Sequence, residues 1–297
     1  MVDRYVLIIG AMKAGTTTLF DHLAAHPAIA PSRPKEPGFF AFDDLYAGGR
    51  EAYHALFDFD PTIHAIRLDG STDYAKFPHC GDVPARLKSF GGAFRLIYLL
   101  RHPLRRIESH AQHVQHKKRE VGRIDSGRAD HGLDAGISPV SLDISRYAMQ
   151  LDQYADYFDS GALLVTSLER LTSDPADVLD AVCRHIGVDP QRLPDSLAQR
   201  NPGDGVKRAR EVHPLWRAAA AVAPARALVR AALPPRLRDR LRGQTRPLTR
   251  ADGRFKLTSE EEARLIVELT PDLTRLRDRY GFDAAREWGI DLGGGKR

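Results

Sequence analysis

Short apolar runs alternate along the chain with stretches whose apolar residues recur at helical spacing. Tyr5-Val6-Leu7-Ile8-Ile9 has no polar position to turn toward water, so it reads as a strand buried on both faces. "FRLIYLL" (94–100) and "ALLVTSL" (162–168) repeat that pattern, and "HAIRLDGS" (64–71) is a weaker copy. Helical spacing covers 16–26, where Leu19 and Leu23 share a face, then 82–90, 103–119, 141–158 and 176–186. Strands separated by helices predict an α/β fold with three layers, a central, mainly parallel sheet flanked by helices.

The C-terminal part is read as helical. Thr258 and Glu261 form a capping box for a helix starting near Ser259, and Thr270-Pro271 reads as the start of a second helix, which Gly281 stops. The Gly- and Asp-rich stretch 122–139 lacks periodicity and reads as a long surface loop, a lid or a disordered segment. The terminal "GGGKR" is expected to fray, and no internal repeat is present.

At 297 residues, with 42% hydrophobic and 28% charged, the composition suits a soluble globular protein, and we assign one domain to 1–297. The apolar stretch "AAAAVAPA" (218–225) falls far short of the roughly 20 residues a membrane span needs. No charged-then-apolar leader precedes the first strand, and Cys80 and Cys183 form neither a disulfide framework nor a metal spacing. A reduced, cytoplasmic protein is the expectation. The net charge of +5 is local: 207–250 holds twelve Lys or Arg against Glu211 and Asp239, leaving 32 basic and 37 acidic residues elsewhere. Such a segment suits an anionic ligand or simply a solvated helical surface.

The first strand runs into "GAMKAGTT", whose Gly10 and Gly15 have the spacing of a nucleotide triphosphatase loop. Thr16 stands where that loop has lysine, and the lysine here, Lys13, precedes the second glycine. A strand–loop–helix unit places the N–H groups of Ala14, Gly15, Thr16 and Thr17 around an anion. Lys13 is then placed to neutralise charge on the bridging oxygen of a 5′-phosphate bearing a transferable group, without a metal. A second anion site follows in "YLLRHPLRRIESHAQH" (98–113), where Arg101 ends a strand and Ser109 lies about two turns into the next helix. Alone, Arg101 is a surface arginine. Paired with the first loop it is a phosphate ligand.

Together the two stretches resemble the donor site of the sulfotransferases that use 3′-phosphoadenosine 5′-phosphosulfate (PAPS). The resemblance implies a P-loop-like fold in which Lys13 through Thr18 (Lys13, Ala14, Gly15, Thr16, Thr17 and Thr18) cradle the 5′-phosphosulfate. Arg101 and Ser109 would hold the 3′-phosphate. "SRPKEPGFFAFD" (32–43) resembles the K-E-x-x-F-F segment of the Golgi heparan-type enzymes and their bacterial relatives, implying that Glu36 is the general base and that Lys35 lines the same cleft. "DGSTDYAKF" (69–77) resembles the family's E-x-S-P-x-Y stretch but departs from it at Asp69 and Thr72. "LLVTSLERLTSDPADVLDAVCRHIGVD" and "LTPDLTRLRDRYGFDAAREW" resemble later structural segments of the family. The basic stretch 205–255 would act as a helical lid, with Lys207 and Arg208 reaching the donor. The implied acceptor is a hydroxyl or amine on a small molecule or carbohydrate, and neither a nucleic-acid partner nor a metal is expected.

Three other readings stay open. A nucleotide-dependent kinase is opposed by Thr16 and by the lack of an aspartate suited to Mg²⁺. A nucleic-acid binder using 207–250 would have a single aromatic, Trp216, for stacking. His110, His113 and His116 share one side of a helix at a spacing that suits a metal, and His110 is an alternative base.

Overall fold

The computed structural model describes residues 2–121, 137–193, 208–210, 245–247 and 255–292, with backbone alone for 115–121, 208–210 and 245–247. The chain divides into two compact units, Met1–Ala198 with Phe255–Arg297, and Gln199–Arg254. In the second, Arg208–Arg210 pairs antiparallel with Thr245–Pro247. Arg208 thus lies in a short strand where a helical lid was expected.

The first unit is built on five parallel strands: β1 (Arg4–Gly10), β2 (Ile29–Pro31), β3 (Ile66–Asp69), β4 (Ala93–Leu100) and β5 (Leu163–Ser167). Their order is β2-β3-β1-β4-β5, with register Tyr5↔Arg67 on one side of β1 and Tyr5↔Phe94 on the other. The all-apolar central strand serves both faces. Tyr5, Leu7 and Ile9 join an aromatic layer with Phe39, Phe40, Tyr53 and Phe94, while Val6 and Ile8 pack with Leu19, Leu23, Val178, Val182 and Ile186. The α/β, mainly parallel expectation is met.

The helices are α1 (Thr16–Ala24), α2 (Asp43–Tyr46), α3 (Gly49–His54), α4 (Val83–Phe90), α5 (Pro103–Val121), α6 (Pro139–Ser145), α7 (Tyr147–Asp152), α8 (Ala155–Asp159), α9 (Leu168–Ser173), α10 (Pro175–Ile186), α11 (Ser259–Tyr280) and α12 (Ala284–Trp288). Three differences from expectation have identifiable causes. β2 is only three residues long, too short to show a period. The single helix expected over 141–158 is three. Arg146 leaves helical geometry, and α7 starts afresh with its Ala148 and Met149 N–H groups donating to the buried Asp272 carboxylate, both at 2.9 Å.

Conversely, the break expected at Thr270-Pro271 does not occur. The carbonyl that Pro271 cannot serve belongs to Val267, which is 74% exposed and open to water. The Thr270 hydroxyl donates to the Ile266 carbonyl (2.7 Å), and the buried stripe Leu265, Leu269, Leu273, Leu276 runs on past the proline. The Thr258–Glu261 capping box and the Gly281 stop are as expected.

The connection leaves β1 for β2 on one side of it and later reaches β4 on the other. The strand order therefore reverses at the carboxyl end of β1, where parallel α/β sheets leave a ligand crevice.

Candidate active site

The loop after β1 opens into that crevice. Ala11 N donates to Leu99 O (2.8 Å), hooking the loop onto β4, and Ala14 N donates to Ala11 O (3.1 Å). Lys13 (φ 71°) and Gly15 (φ 87°) are both left-handed, flanking Ala14 with the kind of backbone that turns consecutive N–H groups to one side. Gly15 suits its left-handed φ, and a Cβ there would lie 2.5 Å from Leu168 Cδ1, a side-chain tip that would have to move aside. α1 begins at once, with no side chain capping it and no acid in its first turn, so its leading N–H groups and dipole favour an anion. Thr16 is buried, Thr18 half-buried and Thr17 exposed. A phosphate fits this cradle.

The second predicted anion site is joined to the first. β4 delivers Arg101, whose Nη1 donates to the Lys13 carbonyl at 3.0 Å, and the Tyr147 hydroxyl holds the Arg101 carbonyl at 2.6 Å. His102 N donates to Glu169 Oε1 (3.0 Å), and Pro103 then opens α5, which carries the half-buried Ser109. Two stretches read separately from the sequence thus meet at the ends of neighbouring strands.

Lys35 and Glu36 follow β2. Lys35 Nζ lies 2.7 Å from Glu36 Oε1 and donates to the Gly70 carbonyl (3.3 Å), while the Thr72 hydroxyl donates to Glu36 Oε2 (3.2 Å). The Glu36 side chain keeps 40% of its surface exposed, leaving it room to meet a ligand. Phe39 and Phe40 are buried just beyond and anchor the segment.

The "DGSTDY" stretch holds what the sequence left unread. Asp69, fully buried at the end of β3, accepts from Ser71 N (3.0 Å), Ser71 Oγ (2.6 Å), Tyr74 OH (2.6 Å) and Tyr53 OH (3.2 Å). Ser71 Oγ in turn accepts from Gly38 N (2.9 Å), so this hub fixes the segment carrying Glu36. A polar cluster closing an apolar strand was the available signal.

Burial pushes the Asp69 pKa from 3.8 up to about 6, against the pull of its hydrogen bonds. Between pH 4 and 6 the folded protein therefore keeps a proton that the unfolded chain has released. This residue's contribution is complete below that window and is lost as pH rises through it, by up to ~1.4 kcal/mol per pH unit. Asp69→Asn should lack that slope. Denaturant titrations of both proteins from pH 4 to 7 check it: parallel stability curves would count against the assignment.

His110, the alternative base, is buried on α5. Burial first, then Arg106, Lys76, His113 and Lys13, pushes its pKa down to about 3, leaving a neutral ring that takes up a proton poorly. Lys207, the Arg208 side chain, the His116 side chain and 122–136 lie outside the described residues. A cavity of about 830 Å³ lined by Asp3, Arg4, Phe59, His64, Arg67 and Arg95 lies at the opposite, amino-terminal edge of the sheet. It shares no residue with this site. Among the described residues, no helix is long and apolar enough to cross a membrane.

No family model matches the chain. In sequence it is 31% identical over 192 residues to human heparan sulfate glucosamine 3-O-sulfotransferase 6, covering 61% of this chain and 52% of that protein. It is 28% identical over 197 residues to human bifunctional heparan sulfate N-deacetylase/N-sulfotransferase 3, covering 62% of this chain and 22% of that one. The chain thus spans about half the length of the first relative and under a quarter of the second. In fold it matches the crystal structure of a sulfotransferase from Alicyclobacillus acidocaldarius, with a TM-score of 0.52 and 21% identity, over 82% of this chain and 98% of that one.

Proposed function

We propose that this chain, which belongs with the sulfotransferases in sequence and fold, moves a sulfuryl group from PAPS to a hydroxyl or amine of a small-molecule or carbohydrate acceptor. The observation that carries the reading is the Arg101–Lys13 hydrogen bond, which sets a second cationic group beside the anion cradle at the mouth of the crevice. Two adjacent anion sites suit a nucleotide with phosphates at both its 5′ and 3′ positions.

When bound, the donor supplies an activated sulfuryl group on a 5′-phosphate leaving group. The chain's own residues do the rest. The amides of Gly15, Thr16 and Thr17, with the hydroxyls of Thr16, Thr17 and Thr18, hold the 5′-phosphate, the expected Ala14 N–H being engaged by the Ala11 carbonyl, and the Lys13 ammonium stabilises charge developing on it. Arg101 and Ser109 hold the 3′-phosphate. Glu36, oriented by Lys35 and Thr72, takes the acceptor's proton.

Calorimetry and thermal shift with adenosine 3′,5′-bisphosphate, adenosine 5′-monophosphate and Mg-ATP test the reading. At a hundred times its dissociation constant a ligand stabilises by about 2.7 kcal/mol, several degrees of melting temperature. Stabilisation by the bisphosphate above the others is expected, and a preference for Mg-ATP would favour the kinase reading. Arg101→Ala should weaken bisphosphate binding roughly ten- to hundredfold, the worth of one charge-assisted contact, and weaken the monophosphate far less, by no more than the loss of its bond to the Lys13 carbonyl. Equal losses for both nucleotides would detach Arg101 from the 3′-phosphate.

A further inference from the structure

Arg106 is fully buried on α5, between Arg101 and Ser109 in the sequence. Its Nε donates to Ser145 Oγ (2.8 Å), and its Nη2 donates to Ser141 Oγ (2.9 Å) and to the Ser141 carbonyl. Its Nη1 is buried with no partner, and no carboxylate pairs with it among the described residues. The Tyr98 hydroxyl nearby is also buried and unpartnered, with its ring packed close against Gly10 at the start of the loop. Burial lowers the Arg106 pKa only to about 10, so the guanidinium stays charged at neutral pH.

A buried charge with no counter-charge is a standing cost to a fold, and apolar replacements of such groups are often tolerated or stabilising. An arginine kept in that position is explained if its anion arrives with a ligand. Arg106 stands on the first turns of the helix that follows Arg101, and the Tyr98 ring that packs against Gly10 belongs to the strand that delivers Arg101; the charges of Arg101 and Lys13 are felt in the same surroundings.

Building on the sulfotransferase reading, we propose that Arg106 is a positioning residue for donor binding. Its unneutralised charge is completed by the phosphates of the bound nucleotide, which it does not touch. A competing account is purely mechanical: Arg106 brackets α5 to α6 through Ser141 and Ser145, and its charge is incidental. The two accounts predict different patterns for Arg106→Met and Arg106→Lys.

The readouts are the melting temperature of the ligand-free protein and the calorimetric affinity for adenosine 3′,5′-bisphosphate. At an effective dielectric constant of roughly 20, a unit charge that faces an anion across one layer of side chains is worth on the order of tenfold or more in affinity. Arg106→Met should therefore bind the bisphosphate at least ~tenfold more weakly than wild type, while its ligand-free melting temperature stays level or rises. Arg106→Lys keeps the charge and loses the fork, so it should melt several degrees lower yet bind within about threefold of wild type.

Bisphosphate affinity in Arg106→Met within threefold of wild type overturns the proposal. So does an equal loss of affinity in both variants. Should Arg106→Met not fold, Arg106→Lys alone decides: affinity kept despite lower stability supports the role of charge, and affinity lost rejects it. Failure of the wild type to bind the bisphosphate removes the sulfotransferase reading itself, and the proposal falls with it.

Discussion

Lys13→Ala is expected to lower turnover by about 10²–10³-fold while changing bisphosphate affinity by less than about tenfold. The asymmetry follows from where the lysine acts. The cradle that binds phosphate is made of backbone, from the left-handed turn at 13–15 and the uncapped first turn of α1, and truncating the side chain leaves most of it intact. The ammonium matters most when the bond to the leaving oxygen stretches and charge collects there, and removing one such preorganised donor typically costs that factor in kcat. Steady-state kinetics beside calorimetry on one preparation separates the two effects. A variant that loses affinity and turnover in proportion would make Lys13 an ordinary phosphate ligand.

Glu36→Gln is expected to lower kcat by about 10²–10⁴-fold, the usual worth of a positioned base. The amide keeps an acceptor for the Thr72 hydroxyl, so the segment should stay in place and donor affinity should stay at the wild-type level. The fold around it is held from below by Asp69 and Ser71 rather than by Glu36 itself. His110→Ala is the control. Near-normal turnover in Glu36→Gln together with collapse in His110→Ala would hand the proton transfer to the histidine.

The frame of the site was legible because it is written in chain-local signals. Apolar-rich runs announced four of the five strands, β3 the most weakly, and the Gly10–Gly15 spacing with its displaced lysine announced the loop. Tertiary partners decided the rest. Nothing near Arg146 in the sequence says that Asp272 will start a new helix 120 residues upstream of itself, and nothing at Pro271 says that the orphaned carbonyl will face water. The three arginines of "RHPLRRIES" show the limit most clearly. Arg101 is half-buried beside the loop, Arg105 is exposed and paired to Glu108, and Arg106 is wholly enclosed. Helical phase separates the last two only once one knows which face of α5 meets α6, a fact set by residues some 40 positions away. Asp69 stands out in the sequence only as a departure from the family's glutamate, and its role stayed unread for the same reason, since its four donors come from three different residues spread over 53–74.

The carboxylate of Asp272 also has a bearing on the order in which the protein can mature on the ribosome. Arg101 is held through its carbonyl by Tyr147, and Tyr147 opens a helix whose leading N–H groups rest on Asp272. Arg101 is translated roughly 170 residues before that carboxylate and the phosphate loop roughly 260, so even the later of the two waits about 10–35 s at ordinary elongation rates. For that interval a nascent chain can own both anion elements and still lack the support that aligns one to the other. The alignment of the two anion elements is then a property acquired only once α11 has been made, and a chain stalled before α11 would carry a finished sheet and an unfinished crevice.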